Sequence, residues 1–134
     1  MHLDEYASWR SENTLDIDGF TFSIYIFKRD GDLGMYVLCD NWARNDWSYE
    51  LWWQQTILSS TNGETDVTKA YSTTFHEESR AWGWSSFMLF STATNPTHGY
   101  TNTDGELTLQ LDINPINAEH GTPRTFGKIF HLVV

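Results

Sequence analysis

Cysteine is nearly missing from this chain: Cys39 is the only one among 134 residues. It has no partner for an internal disulfide, so the fold must hold without one. A lone thiol makes a reducing, intracellular setting, cytoplasmic or nuclear, the expectation. Positive charge is scarce too. Lys and Arg total 8 against 18 Asp and Glu, giving a formal net charge of −10. Such a chain lacks the basic footprint that phosphate backbones and anionic headgroups require, which argues against nucleic acid and membrane surfaces as partners. No apolar run approaches the ~18 residues of a membrane span, and the amino-terminal stretch Met1–Arg10 carries no apolar signal core. Also missing are a CxxC metal motif, a Gly-rich phosphate loop and a GxSxG elbow. The five His residues, His2, His76, His98, His120 and His131, show no ligand spacing. Glu77-Glu78 beside His76 reads as a solvated loop. The expectation is therefore no cofactor, no metal and no enzyme.

What the chain does have is aromatic residues: 7 Trp, 6 Tyr and 8 Phe, or 16 % of the whole. That content is incompatible with a disordered acidic segment. The length, residues 1–134, suits one domain with a real core. Period-two alternation dominates. Phe20, Phe22, Ile24 and Ile26 fall on one face of a strand, with Thr21, Ser23 and Tyr25 on the other. Gly19 and Arg29-Asp30-Gly31-Asp32 bracket it as turn signals. Met35–Cys39 is nearly all apolar and reads as a strand buried on both sides. Trp47, Tyr49, Leu51, Trp53 and Ile57 share one face of a long strand; Gln55 interrupts it and Trp52 points the other way. Ser60-Thr61-Asn62-Gly63 contains an Asn-Gly hairpin signal, with Val67–Phe75 as the partner strand. Ser85–Thr92 reads as a short helix or an irregular turn. Leu107, Leu109, Leu111 and Ile113 again face one way. Strand-like runs at this spacing, with almost no helical periodicity, predict an all-β antiparallel sandwich.

Four separated motifs then resemble one family. The runs Gly19–Ile26 and Leu33–Val37 resemble the second and third strands of the MATH (meprin and TRAF homology) domain. Ala81-Trp82-Gly83-Trp84-Ser85-Ser86-Phe87 resembles its Trp-Gly-aromatic-x-x-Phe signature. Gly99-Tyr100 with Asp104–Leu109 resembles its closing loop and last strand. The similarity spans roughly residues 11–114 and is nearest in flavour to the nematode-expanded MATH and MATH-BTB group. It implies about eight strands and an interaction module that holds short extended peptides in a shallow aromatic groove. In the adaptor branch, such a module delivers its bound protein to a cullin-type ubiquitin ligase. By motif position the groove includes Tyr36, Trp53, Trp82, Gly83 and Trp84. Gly83 lets a partner backbone approach closely, and a further groove tyrosine falls to Tyr71 or Thr73. The adaptors carry an acidic residue before the signature Trp. Here that position is Ala81, preceded by Arg80, so an acidic or phosphorylated peptide meeting Arg80 is the expectation.

The family's first strand has no counterpart at the start of this sequence, yet the tail Arg124–Val134 looks like one. Its Phe126, Ile129, Phe130, Leu132 and Val133 favour a strand. The tail is read as filling the first-strand slot, as opening a next unit, as lying along the edge, or as exchanging between two chains to give a homodimer. Among the aromatics, Trp47 and Tyr49 read as core, and Trp42 sits in a polar loop as a contact or an anchor. A carbohydrate-binding sandwich is the alternative, since Trp52, Trp53 and Gln54-Gln55 would suit a sugar platform.

Overall fold

Alternation of buried and exposed side chains runs through the computed structural model, which describes residues 8–40, 47–59, 65–115 and 125–133. The strands are β1 (Ser8–Arg10), β2 (Leu15–Ile17), β3 (Phe20–Arg29), β4 (Asp32–Cys39), β5 (Ser48–Leu58), β6 (Val67–His76), β7 (Ala81–Leu89), β8 (Glu106–Pro115) and β9 (Phe126–Val133). One short helix, α1 (Phe90–Thr94), and a 3₁₀ turn at Pro96–His98 lie between β7 and β8. The Trp42 loop and the Ser60–Gly63 turn lie outside the described residues.

The strands form two antiparallel sheets. One runs β1-β3-β4-β7, with β2 also on β3; the other runs β6-β5-β8-β9. Two Asp-Gly pairs make the tightest corners. Asp18 and Gly19 (φ 52° and 82°) join β2 to β3, and Asp30 and Gly31 (φ 49° and 84°) join β3 to β4. Positive φ at both central residues is what a two-residue hairpin requires. Between β1 and β2 the chain leaves the ladder, and the Ser11 hydroxyl accepts the Ile24 N–H at 3.0 Å, so the buried amide stays satisfied.

The inward faces meet as the alternation predicts. Phe22, Ile24, Ile26, Leu51, Ile57, Leu107, Leu109, Leu111 and Ile113 are fully buried. Trp47 and Tyr49 are core residues: the Phe20 ring packs edge-on to Tyr49 at 4.3 Å and tilted against Trp47 at 5.5 Å. Tyr49 also donates its phenol to Asp18 at 2.8 Å, tying β5 to the Asp18-Gly19 turn.

Two expectations change. Met35–Cys39 is not buried on both sides: Met35, Val37 and Cys39 are buried, while Tyr36 and Leu38 face outward and are half-covered. Ser85–Thr92 is neither helix nor turn throughout, because β7 continues to Leu89 before α1 begins. Its alternation is hidden in the sequence by a register shift against β4 between Leu33 and Met35. The strand count agrees with the expected eight or so, with β1 and β2 as two short pieces on one partner.

The tail forms β9, the outermost strand beside β8, in register from Glu106↔Val133 to Ile113↔Phe126. Phe130 and Leu132 point into the core and are buried, whereas Ile129 is exposed on the opposite face. Lys128 donates to the Thr14 carbonyl at 2.8 Å and ties this edge to the β1–β2 segment of the other sheet. Among the described residues the sandwich thus has two seams, one between β1 and β9 and one between β6 and β7.

Candidate functional site

The β6–β7 seam collects the aromatic residues. β5 aims Trp53 inward, parallel to Leu51 and Ile57, and only 1 % of it is exposed. Directly across the ladder, β6 places Tyr71 opposite Trp53. Tyr71 shares its face with buried Phe75, yet it is 56 % exposed because the other sheet does not close over it. Trp53 packs edge-on to Tyr71 at 5.8 Å and to Phe75 at 5.7 Å, and tilted to Trp84 at 5.9 Å. Trp84 continues the row to Phe87 at 5.9 Å. Between them lies a cavity of about 240 Å³ lined by Trp53, Tyr71, Trp82, Gly83 and Trp84. It is open, apolar and walled by aromatic faces and edges, a shape that takes an apolar side chain rather than a hydrated ion.

The cavity adjoins the outer edge of β7. Among the described residues, β7 pairs only with β4. The Cys39 N–H donates to the Arg80 carbonyl at 2.8 Å, just before β7. Antiparallel alternation from that pair turns the backbone groups of Ala81 and Gly83 away from β4, toward the open edge. An extended chain laid there would find backbone partners and the aromatic cavity side by side.

Gly83 is required for a reason other than a partner's approach. A Cβ at that position would lie 2.2 Å from the Met35 carbonyl oxygen and 2.6 Å from the Tyr36 Cα. Both are backbone atoms of β4, which cannot give way as a flexible side chain can. Gly83 is therefore demanded by the β4–β7 crossing itself, while it also lines the cavity.

The remaining expected site residues separate. Tyr36 sits across β7, on the outer face of its sheet, with its phenol 3.1 Å from the Ser85 hydroxyl and its ring 5.5 Å from Phe27. Arg80 is not in the aromatic cavity. Its Nε donates to the Glu77 carbonyl at 2.8 Å, and it lines a different cavity with Asp40, Glu77 and Glu78. Asp40 is itself paired with Arg10 and accepts from Ser23 at 2.9 Å. Arg10 and Arg80 thus share that end of the domain with Asp40, Glu77 and Glu78, apart from the aromatic cavity. Of the two candidates for a further groove tyrosine, Tyr71 is in the cavity lining and Thr73 is not.

Two residues at the site were missed by sequence reasoning. Lys69 lies on the same face of β6 as Tyr71; its ammonium donates to the Ser86 carbonyl at 3.2 Å and stands 5.4 Å from the Phe87 ring. Phe87, read only as the end of the signature, is 2 % exposed and packs against Trp84 at 5.9 Å. The period-two parity of Lys69, Tyr71, Thr73 and Phe75 carried the signal for Lys69.

The sugar-platform residues do not form a platform. Trp52 and Trp53 are on opposite faces of β5, and Gln55 is wholly buried. No helix among the described residues is long and apolar enough to cross a membrane.

An antiparallel sandwich with an aromatic cavity beside a free strand edge defines a β-sandwich interaction module. The sequence matches the family described as MATH domain over residues 4–114. The chain belongs to the MATH domain family. A search of curated proteins gives no match.

Proposed function

We propose that this domain recognises a short extended segment of a partner protein by adding it as a strand to β7 and anchoring one apolar side chain in the Trp53–Tyr71–Trp84 cavity. The observation that carries the reading is the placement of that cavity directly beside the outward backbone groups of Ala81 and Gly83. In an added strand, alternate side chains face opposite ways. One set would enter the aromatic cavity. The other would pass over Gly83, which has no side chain to obstruct it, toward Tyr36 and Ser85. Kinship with the adaptor branch supports a role as the substrate-recognition part of an intracellular ubiquitin-ligase adaptor. Buried, reduced Cys39 is compatible with that setting.

Titration of tryptophan fluorescence tests the proposal. A Ser/Thr-rich peptide library carrying one apolar anchor is expected to perturb the emission, and Trp84→Ala should remove the response. A response to oligosaccharides alone would favour the carbohydrate reading instead.

A further inference from the structure

The groove is closed differently at its two ends. At one end the β6–β7 turn brings Glu77 and Glu78, with Arg80 held on the Glu77 carbonyl. At the other end Lys69 reaches from β6 across the seam to β7. Its ammonium donates to the Ser86 carbonyl at 3.2 Å, over the Phe87 ring. Three consequences follow. Lys69 engages the backbone carbonyl of Ser86, within the signature and beyond Gly83, so a strand added at Ala81 and Gly83 meets the ammonium as it runs toward Ser86. An ammonium has three N–H donors, and this contact uses one of them. The chain as a whole carries a formal net charge of −10, so a cation beside the groove is the scarcer sign of charge.

We propose that Lys69 is a specificity-determining residue of the groove, selecting peptides with an acidic side chain two positions from the apolar anchor, on one side of it only. This rests on the peptide-groove reading above. The spacing comes from the strand repeat. Lys69 and Tyr71 are two residues apart on one face of β6, about 7 Å along the strand. Two residues along an extended ligand cover the same distance and return its side chain to the same face. At the opposite end Arg10 is paired with Asp40 and Arg80 is held by the Glu77 carbonyl, with Glu77 and Glu78 beside them, so the local charge there does not favour a ligand carboxylate. A ligand with acidic residues on both sides of the anchor therefore gains from only one of them.

The test uses three peptides with the same apolar anchor and Ser/Thr-rich body. One carries Glu two positions before the anchor, one carries Glu two positions after it, and the control carries Gln at both places. Binding is read by tryptophan fluorescence on the wild-type protein, Lys69→Met and Lys69→Arg. Met keeps an unbranched stem against Phe87 and removes the charge; Arg keeps the charge. One Glu peptide is expected to bind wild type about three- to tenfold tighter than the control at low salt. The advantage should vanish in Lys69→Met, persist in Lys69→Arg and shrink in wild type at high salt. Equal affinities of all three peptides for wild type would overturn the inference while leaving the groove reading intact. So would a Glu advantage that is unchanged in Lys69→Met. The wild-type comparison of the three peptides can overturn the inference even if a variant does not fold, and Lys69→Met and Lys69→Arg are two independent variants that assign the effect to Lys69. Failure of any anchored peptide to bind wild type would overturn the groove reading and this inference with it, a different signature from charge indifference.

Discussion

Replacing Gln55 by an apolar residue should stabilise the protein. Gln55 lies on the inward face of β5 between Trp53 and Ile57, with Lys69 and Leu111 opposite it on the neighbouring strands. It is 0 % exposed, and neither its amide oxygen nor its amide nitrogen has a hydrogen-bond partner among the described residues. Burying an amide without compensation costs about 1–3 kcal/mol by mutational measures. Methionine has nearly the same length and volume, so Gln55→Met removes that cost without opening a cavity or forcing the core apart. The expected gain is about 2 kcal/mol. For a domain of this length, between the two size classes usually considered, that is about 6–10 °C in Tm. Scanning calorimetry reads it directly. Urea titration should show a higher midpoint with an unchanged slope, the signature of altered stability without altered compactness. Gln55→Ala is the control, because its cavity should lower stability instead. A Tm for Gln55→Met equal to or below wild type would refute the reasoning, since it would mean the amide is fully hydrogen-bonded in solution.

Gly83→Ala should destabilise by about 1–3 kcal/mol, because its Cβ would meet the Met35 carbonyl oxygen at 2.2 Å and the strand cannot yield; an unchanged melt would show that β4 and β7 do not cross so closely. Deleting Phe126–Val134 removes the buried Phe130 and Leu132 side chains, each contributing about 1.5–3 kcal/mol, and strips the outer partner from β8. A fall in Tm beyond 10 °C, or loss of folding, is expected, and an undiminished Tm would refute the placement of β9. If the tail is exchanged between two chains, size-exclusion chromatography of the intact protein will show a dimer that the deletion abolishes; a monomer at all concentrations sinks that reading.

Much of the fold was legible because period two is a strong signal where one face is buried. Phe20 to Ile26 and Leu107 to Ile113 declared their inward faces directly, and Trp47 and Tyr49 fell into the core by parity with Leu51. The signal failed where the ladder is irregular. The β7 alternation breaks near Ser85 and Ser86, beside the register shift at Leu33 and Met35, so a strand looked like a turn or a short helix. Strand order was not legible from local pattern, and with it went the four-way ambiguity over the tail. At the site, the motif resemblance brought Trp53, Trp82, Gly83 and Trp84 to one cavity and Tyr36 to its flank. Arg80 lines a different cavity from the aromatic one, and its contact with the Glu77 carbonyl three residues away is a local one that charge alone does not reveal. Lys69 went unnoticed because its role depends on which two edges face each other across the seam.

Backbone amide and indole NMR shifts during titration with an apolar-anchored, Ser/Thr-rich peptide test the central claim most directly. The account predicts saturable shifts at the Ala81 and Gly83 amides and at the Trp53, Trp82 and Trp84 indoles, with Trp52 and the β9 amides unmoved. Shifts confined to Trp52 or to the β1–β9 seam, with the β7 edge silent, would contradict it.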